Sequence, residues 1–467
     1  MKRSLSTDVS AAPAAASCPG VASHGGATGL RRALKLRHLI LYGIIIIQPT
    51  APMSIYGVVS NAARGHVATT ILIAMVAMLF TAISYGRMAR VYPTAGSAFT
   101  YVARELHPLG GYVVGWSMLM DYMLNPIICA VWCSVAAQDI FPRVPYAAWV
   151  LAFVLVFTVL NLRGVQSSAR LNAILALGMG IVVVIFLAFA FRYIAFVLRP
   201  VGGAWLRPFY DPATFSLPLL LHGTSIAVLT YIGFDGISTM SEEVENPERN
   251  IMLGTVFTCL AIGALSTIEV FAAQMAWPAD SPFLPSMVDT AFVHVAMRVG
   301  GRILFLVLNA TLLVANMGSG IAAQFGAARL LYGMGGENAL PRRFFGTVSP
   351  RTAVPRNNVL LLGAITLIGS FLLSFERGAE LLNFGAFIAF MGVNLAALVH
   401  YKFRSNEKVL FPALIPLLGF SICGFIWLNL THAAQLLGTA WMIVGVLLHL
   451  VMRRHTRMKS ASASAGF

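Results

Sequence analysis

An all-helical membrane protein with about twelve transmembrane helices is the fold class this sequence predicts, and three observations predict it. The chain is 58% apolar and only 10% charged over 467 residues, whereas a soluble domain is near half apolar and a quarter charged. Its mean hydropathy is +0.79. The apolar residues gather into runs of roughly 20 or more, the length that crosses a hydrocarbon core.

The runs lie near residues 39–61, 67–91, 108–138, 146–162, 171–197, 216–241, 252–277, 302–333, 357–375, 379–401, 409–430 and 434–452. The thirty residues before them are rich in Ala, Ser and Gly and lack the apolar centre of a signal peptide, so they read as a disordered cytoplasmic tail. Arg31, Arg32, Lys35 and Arg37 then abut the first run as a cytoplasmic anchor would.

A net charge of +15 would point to nucleic acid in a soluble protein. Here the bases sit in short segments between apolar runs, a pattern that orients a membrane protein, and nucleic acid is set aside. With the N-terminus inside, 24 of the 32 basic residues fall on the cytoplasmic side and 8 outside. That asymmetry favours an even number of spans in an inner membrane, with both termini cytoplasmic. The five cysteines, Cys18, Cys129, Cys133, Cys259 and Cys423, show no metal-ligand spacing. Four lie inside apolar runs and read as small buried hydrophobes. No acidic metal cluster, histidine pair or nucleophile elbow appears, which argues against an enzyme.

Two of the runs are interrupted. The first reads YGIIIIQPTAPMS from Tyr42 to Ser54. Pro49 and Pro52 remove two amide donors near its middle, so the helix should open there. At membrane depth such a break either lines a cavity or is a simple proline kink. The sixth run is interrupted by Gly233, Phe234, Asp235 and Gly236. An isolated aspartate in hydrocarbon costs several kcal/mol, so Asp235 should face a polar cavity or a partner. Breaks in the first and sixth segments are what an inverted repeat of five plus five spans would give, with a ligand held between them at the midplane. The organisation expected is a tail at 1–30, a first repeat at 31–200, a second at 201–402, two further spans within 403–452, and a cytoplasmic tail at 453–467.

The stretch YIGFDGISTMSEEVENPER from Tyr231 to Arg249 resembles the sixth-helix signature of the amino acid, polyamine and organocation permeases. RMARVYPTAGSAFTYV (Arg87 to Val102), LNLRGVQSSARLN (Leu160 to Asn172) and ARLLYGMGGENALP (Ala328 to Pro341) resemble loop motifs of that superfamily in the expected order. The run TAISYGRMARVYPTAGSAFTYV, the Gly-Trp pair before Asp121 and LLNFGA at Leu381 to Ala386 are most similar to the putrescine-importer-like branch. The resemblance covers the chain from about residue 31 onward. It implies a leucine-transporter-like fold, no covalent cofactor, and secondary active transport of amino acids or polyamines coupled to H+ or Na+. The sequence departs from the family in two places. Pro-Thr-Ala-Pro replaces a glycine-rich tripeptide in the first helix, and the fifth run has no lysine to stand in for sodium.

Half-helix ends offer amides for a carboxylate and carbonyls for an ammonium. The expected substrate contacts are therefore Thr50, Ala51, Met53 and Ser54 at the first break and Gly233, Phe234, Asp235 and Gly236 at the second. Phe234 either gates the site or packs as an ordinary helix aromatic. Asp121 and Asn125, four residues apart in the third run, share a face. Asp121 suits either an ammonium group and proton relay or an interhelical hydrogen bond. Glu269 is a mid-membrane carboxyl for proton coupling, unless it faces the outer vestibule. Asn316 and Ser319 are oxygen donors for sodium, or small polar residues mediating helix packing. At the cytoplasmic end, Glu242, Glu243 and Glu245 with Arg249 and the basic stretch Arg342 to Arg356 form either an ion-pair gate or a solvated loop.

The function expected is a secondary active permease. A polyamine importer is the alternative, and a ligand sensor on the same fold ranks below both. An amino acid is preferred over putrescine as substrate because the first break carries no acid between Gln48 and Ser60.

Overall fold

The computed structural model of the chain describes residues 34–464 apart from 94–96, 165–168, 242–243, 278–281, 337–339, 350–351, 353 and 406–410. The tail at 1–30, Cys18, Glu242 and Glu243 therefore lie outside the described residues. Most of the helices follow an apolar run, and proline marks several starts, because its missing N–H falls where a helix has no acceptor for it.

In chain order the helices are α1 (Leu36–Ile47), α2 (Ala51–Ala62), α3 (Val67–Val91), α4 (Ser97–Glu105), α5 (Pro108–Ile140), α6 (Tyr146–Leu162), α7 (Ala169–Tyr193) and α8 (Leu217–Ala227). They continue as α9 (Pro247–Ala276), α10 (Ala291–Gly336), α11 (Arg342–Phe345), α12 (Arg356–Leu372), α13 (Phe375–Val399), α14 (Leu414–Leu428) and α15 (His432–Ser464). No strand is assigned among the described residues. Pro52, Pro108, Pro218 and Pro247 sit in the first turn of α2, α5, α8 and α9. The Ser374 hydroxyl accepts the Arg377 amide and caps α13.

Among the described residues, eight helices are long and apolar enough to cross a membrane; the α1–α2 pair, bent by 48°, makes a ninth if counted as one span. Three shorter apolar helices, α6, α12 and α14, have 17, 17 and 15 residues. Each of the twelve apolar runs thus carries helix, but these three are at the short limit of what spans a bilayer unaided. Two helices were not anticipated. The amphipathic α4 falls in a loop motif. The helix before residue 302 is set off from the rest of α10 by Gly301, whose φ of 71° and ψ of −166° break the helical path.

α5 and α13 are the most enclosed of the long helices, whereas α7 and α15 leave most of their surface uncovered, as helices facing lipid do. Close crossings use small residues. Gly86 of α3 lies where a Cβ would meet Met252 of α9 at 2.5 Å, and Gly385 of α13 where it would meet the Ser117 carbonyl of α5 at 2.6 Å. Interior polar groups bond across helices: Asn383 Nδ2 donates to the Ser225 carbonyl at 2.7 Å, and Asn394 Nδ2 to Thr81 Oγ1 at 3.1 Å. Trp116 and Trp441 stack at 4.8 Å, and each indole donates to the other's carbonyl, fastening α15 to α5.

At the end of α5, Thr290 Oγ1 donates to Asp139 at 2.6 Å and Trp132 Nε1 donates to the Asp289 carbonyl at 2.8 Å. These bonds pin the loop between α9 and α10. Burial, and secondarily the negative Glu376, push the Asp289 carboxyl up to about 6. A raised carboxyl disfavours the ionised folded state, so stability from this corner is full below the ordinary value of 3.8 and declines as pH rises through about 6. Asp289→Asn should raise the apparent Tm by ~2 °C at pH 7 and leave it unchanged at pH 4, as read by thermal unfolding of the purified chain in detergent.

Candidate functional site

At the first break, Gln48 leaves the helical path with φ 70° and ψ 132°, a region costly for a residue with a side chain. Pro49 and Pro52 carry no N–H, and the amides of Ala51 and Met53 donate to the Gln48 and Thr50 carbonyls at 3.2 and 3.1 Å. Between Pro49 and Met53, Thr50 alone keeps an amide without a backbone acceptor among the described residues. The side chains tie the break to its neighbours. Gln48 Nε2 donates to the Ala315 carbonyl of α10 at 3.2 Å, buried Thr50 directs Oγ1 to Met179 Sδ of α7 at 3.9 Å, and Ser54 Oγ accepts Asn316 Nδ2 at 3.1 Å. Met53 is buried, and Ala51 partly so.

At the second break, α8 tightens into a 3-10 turn at Val228–Tyr231, Ile232 is extended, and Gly233 turns the chain with φ 116° into a further 3-10 stretch, Phe234–Met240. Glycine fits because a side chain strains that dihedral and because a Cβ there would meet Ile46 Cγ2 at 2.7 Å. Gly236 faces the same Ile46 side chain at 3.3 Å. The end of α1 and the second break therefore touch. The Gly236 amide donates to the Gly233 carbonyl at 3.0 Å, and the backbone amides of Gly233, Asp235 and Gly236 lie near the Asp235 carboxyl. Phe234 is fully buried, edge-on to Tyr85 at 5.5 Å and tilted against Phe390 at 5.3 Å.

Asp121 on α5 lies within electrostatic reach of Asp235, and Tyr122 feels both carboxylates. The two aspartates are partly accessible although each lies in the middle of an apolar run. No lysine or arginine enters the surroundings of either among the described residues. The Tyr85 phenol is buried near Asp235 with no hydrogen-bond partner among the described residues. Asn125 Oδ1 accepts from Ser319 Oγ at 3.2 Å and from Cys129 Sγ at 3.3 Å.

Among the expected residues, Ser54 bonds Asn316, Asn125 bonds Ser319, and Asp121 lies within electrostatic reach of Asp235. Glu269 on α9 is wholly enclosed, both its oxygens are without partners, and no charged group reaches it among the described residues. Asn316 turns its N–H end to Ser54 and to the Leu312 carbonyl, and Ser319 gives its hydroxyl proton to Asn125. Before α1, the Glu245 amide donates to the Leu34 carbonyl at 2.9 Å, Leu34 pairs with Val244, and Arg90 meets Glu248 at 3.5 Å. No ion pair joins Glu245 to the Arg342–Arg356 stretch among the described residues. The sequence reading did not single out Gln48, Tyr85, Tyr122 or Met179. Tyr85, within the SYGR motif, is the one that pattern could have flagged.

The amino acid permease family profile matches residues 44–463. The low-affinity putrescine importer PlaP of Escherichia coli is 32% identical over 426 residues, covering 90% of this chain and 93% of that protein. The branched-chain amino acid permease BcaP of Bacillus subtilis is 24% identical, over 94% and 97% of the two chains. The methylthioribose transporter of the same organism is 23% identical, over 91% and 95%. With its uninterrupted match across nearly all of the helical region, the chain belongs to the amino acid permease family, within the amino acid, polyamine and organocation superfamily of membrane transporters.

Proposed function

We propose that this permease carries a small organic cation, a diamine foremost, across the inner membrane by alternating access, with the substrate held between the breaks at 48–54 and 232–236. The single observation that carries this reading is the placement of Asp121 and Asp235: two acidic side chains from different stretches of the chain, Asp121 within electrostatic reach of Asp235, both partly accessible, and neither with a lysine or arginine beside it among the described residues. Like charges unpaired in a low-dielectric interior are costly, and a ligand with two ammonium groups relieves both. The first break adds weight from the opposite direction. With two prolines and two engaged amides it offers little to a carboxylate, and the amides of the second break lie near the Asp235 carboxyl. The similarity to PlaP, a putrescine importer, agrees with this chemistry.

An amino acid, preferred on sequence alone, is the second reading. The Thr50 amide supports it, as does the printed function of BcaP. In both readings the framework is twelve spans with a five-plus-five inverted repeat over 31–200 and 201–402. The substrate site involves Thr50, Ala51, Met53, Ser54, Asp121, Asn125 and residues 233–236, and Glu269 is the carboxyl able to take up a coupling proton.

Proteoliposome uptake of radiolabelled putrescine in competition with cadaverine, ornithine, lysine and leucine separates the two. The diamine reading expects cadaverine to compete better than ornithine or lysine; dominance of the amino acids would replace it with the second reading. Asp235→Asn and Asp121→Asn should each raise the apparent KM for putrescine at least ~10-fold, the size of a lost charge-assisted hydrogen bond, with membrane expression intact. Unchanged kinetics in both variants would remove the aspartates from the site.

Both termini are placed in the cytoplasm by the 24 to 8 distribution of basic residues. A fusion at Phe467 of a reporter that matures only in the cytoplasm should be active; activity of an exclusively periplasmic reporter at that position would invert the topology.

A further inference from the structure

We propose that Gln48 is a positioning residue: its side-chain amide, together with that of Asn316, fills the junction between the first-span break and α10 with N–H donors, holding by hydrogen bonds a seam that a bound monovalent cation would otherwise hold by charge. Two bonds cross this seam and a third orients Asn316 within α10. The Ala315 carbonyl accepts from Gln48 Nε2 at 3.2 Å, and the Leu312 carbonyl and Ser54 Oγ accept from Asn316 Nδ2 at 2.9 and 3.1 Å. Both amide orientations are fixed by their acceptors, because turning either side chain over would set its oxygen against a carbonyl oxygen. The next polar residue along α10, Ser319, directs its proton to Asn125, so it too acts as a donor.

The backbone gives an independent sign that the Gln48 side chain matters. Its φ of 70° is one that glycine adopts freely, and a residue with a Cβ is strained there. Glycine at this place would relieve the strain and still permit the break. The strained residue instead reaches 267 positions along the chain to clamp α10. The break and α10 are thereby latched by neutral groups, and the latch must open whenever α1 and α2 change their angle against α10.

The inference does not depend on which substrate is carried, and its first test needs no transport. Thermal unfolding of the purified full chain in detergent is followed in NaCl, KCl and choline chloride at equal ionic strength. The wild type is expected to unfold at one temperature in all three. Gln48→Glu replaces a donor with an anionic acceptor beside the Ala315 carbonyl, and is expected to acquire a saturable stabilisation specific to Na+. A saturable Na+-specific shift in the wild type, or none in folded Gln48→Glu, would overturn the proposal. Gln48→Gly keeps the test decisive if the Glu variant does not fold. It is expected to lower maximal putrescine or leucine uptake by about fivefold, the weight of one hydrogen bond, with KM little changed and no salt specificity. Wild-type rates in Gln48→Gly would sink the clamp.

Discussion

A helix interrupted inside a bilayer leaves amides and carbonyls that water cannot reach, and each must be met by protein or ligand at a cost of several kcal/mol if it is not. The arrangement of this permease around its midplane follows from that constraint. At the first break the problem is reduced at source: Pro49 and Pro52 delete two donors, and short turns from Ala51 and Met53 use two more. At the second break the donors remain and lie near the carboxyl of Asp235, in the same stretch of chain. One break is therefore poor in donors and the other carries its own carboxyl group. In the proposed reading that difference, more than the presence of two breaks, decides which ligands are held between them.

In the proposed reading, binding is relief of electrostatic tension. Asp121 and Asp235 repel one another, and neither has a cationic side chain to lean on among the described residues. Phe234, Tyr85 and Phe390 close the space beside them with ring edges and faces, a lining that excludes water while remaining attractive to an ammonium group. An unpaired Tyr85 hydroxyl adds one polar contact without adding charge. A carboxylate-bearing ligand would meet repulsion here and would have to draw its compensation from the Thr50 amide and little else.

Much of this architecture was legible in the sequence because it rests on long, strongly patterned signals. A run of twenty apolar residues survives any uncertainty about its ends, paired prolines announce a break, and an aspartate between glycines in hydrocarbon has few structural reasons to be there. α4 and the helix before Gly301 were missed because they are short and amphipathic, so a hydropathy window averages them away. The amide supply of the first break was also invisible. Four residues that looked like a carboxylate notch are donor-poor once local turns form, and those turns depend on backbone angles that composition does not specify. Gln48 and Met179 acquire meaning only from contacts with residues more than a hundred positions distant, which no local pattern encodes.

The two halves of the first span share α9 as a neighbour and differ in their other ties. The first half, α1, packs Leu39 and Gly43 against Gly254 and Thr258 of α9, Leu34 pairs with Val244, and Ile46 lies against Gly233 and Gly236. The second half, α2, is bound to α9 through Gln274, which accepts from Tyr56 and Ser60 at 3.3 and 3.1 Å, to the following loop through Asn61 and Phe283, and to α10 through Ser54 and Asn316. Each link is one or two hydrogen bonds or a small apolar contact, at roughly 1 kcal/mol per bond. Either set can therefore yield without unfolding the helices. A state that releases one set and keeps the other differs from its converse by only a few kcal/mol, a gap that a ligand bound at the junction can tip in either direction. In the proposed reading residues 48–50 absorb the change, because between Leu36 and Ala62 they alone lie outside regular helix, and there the Gln48 side chain reaches to α10.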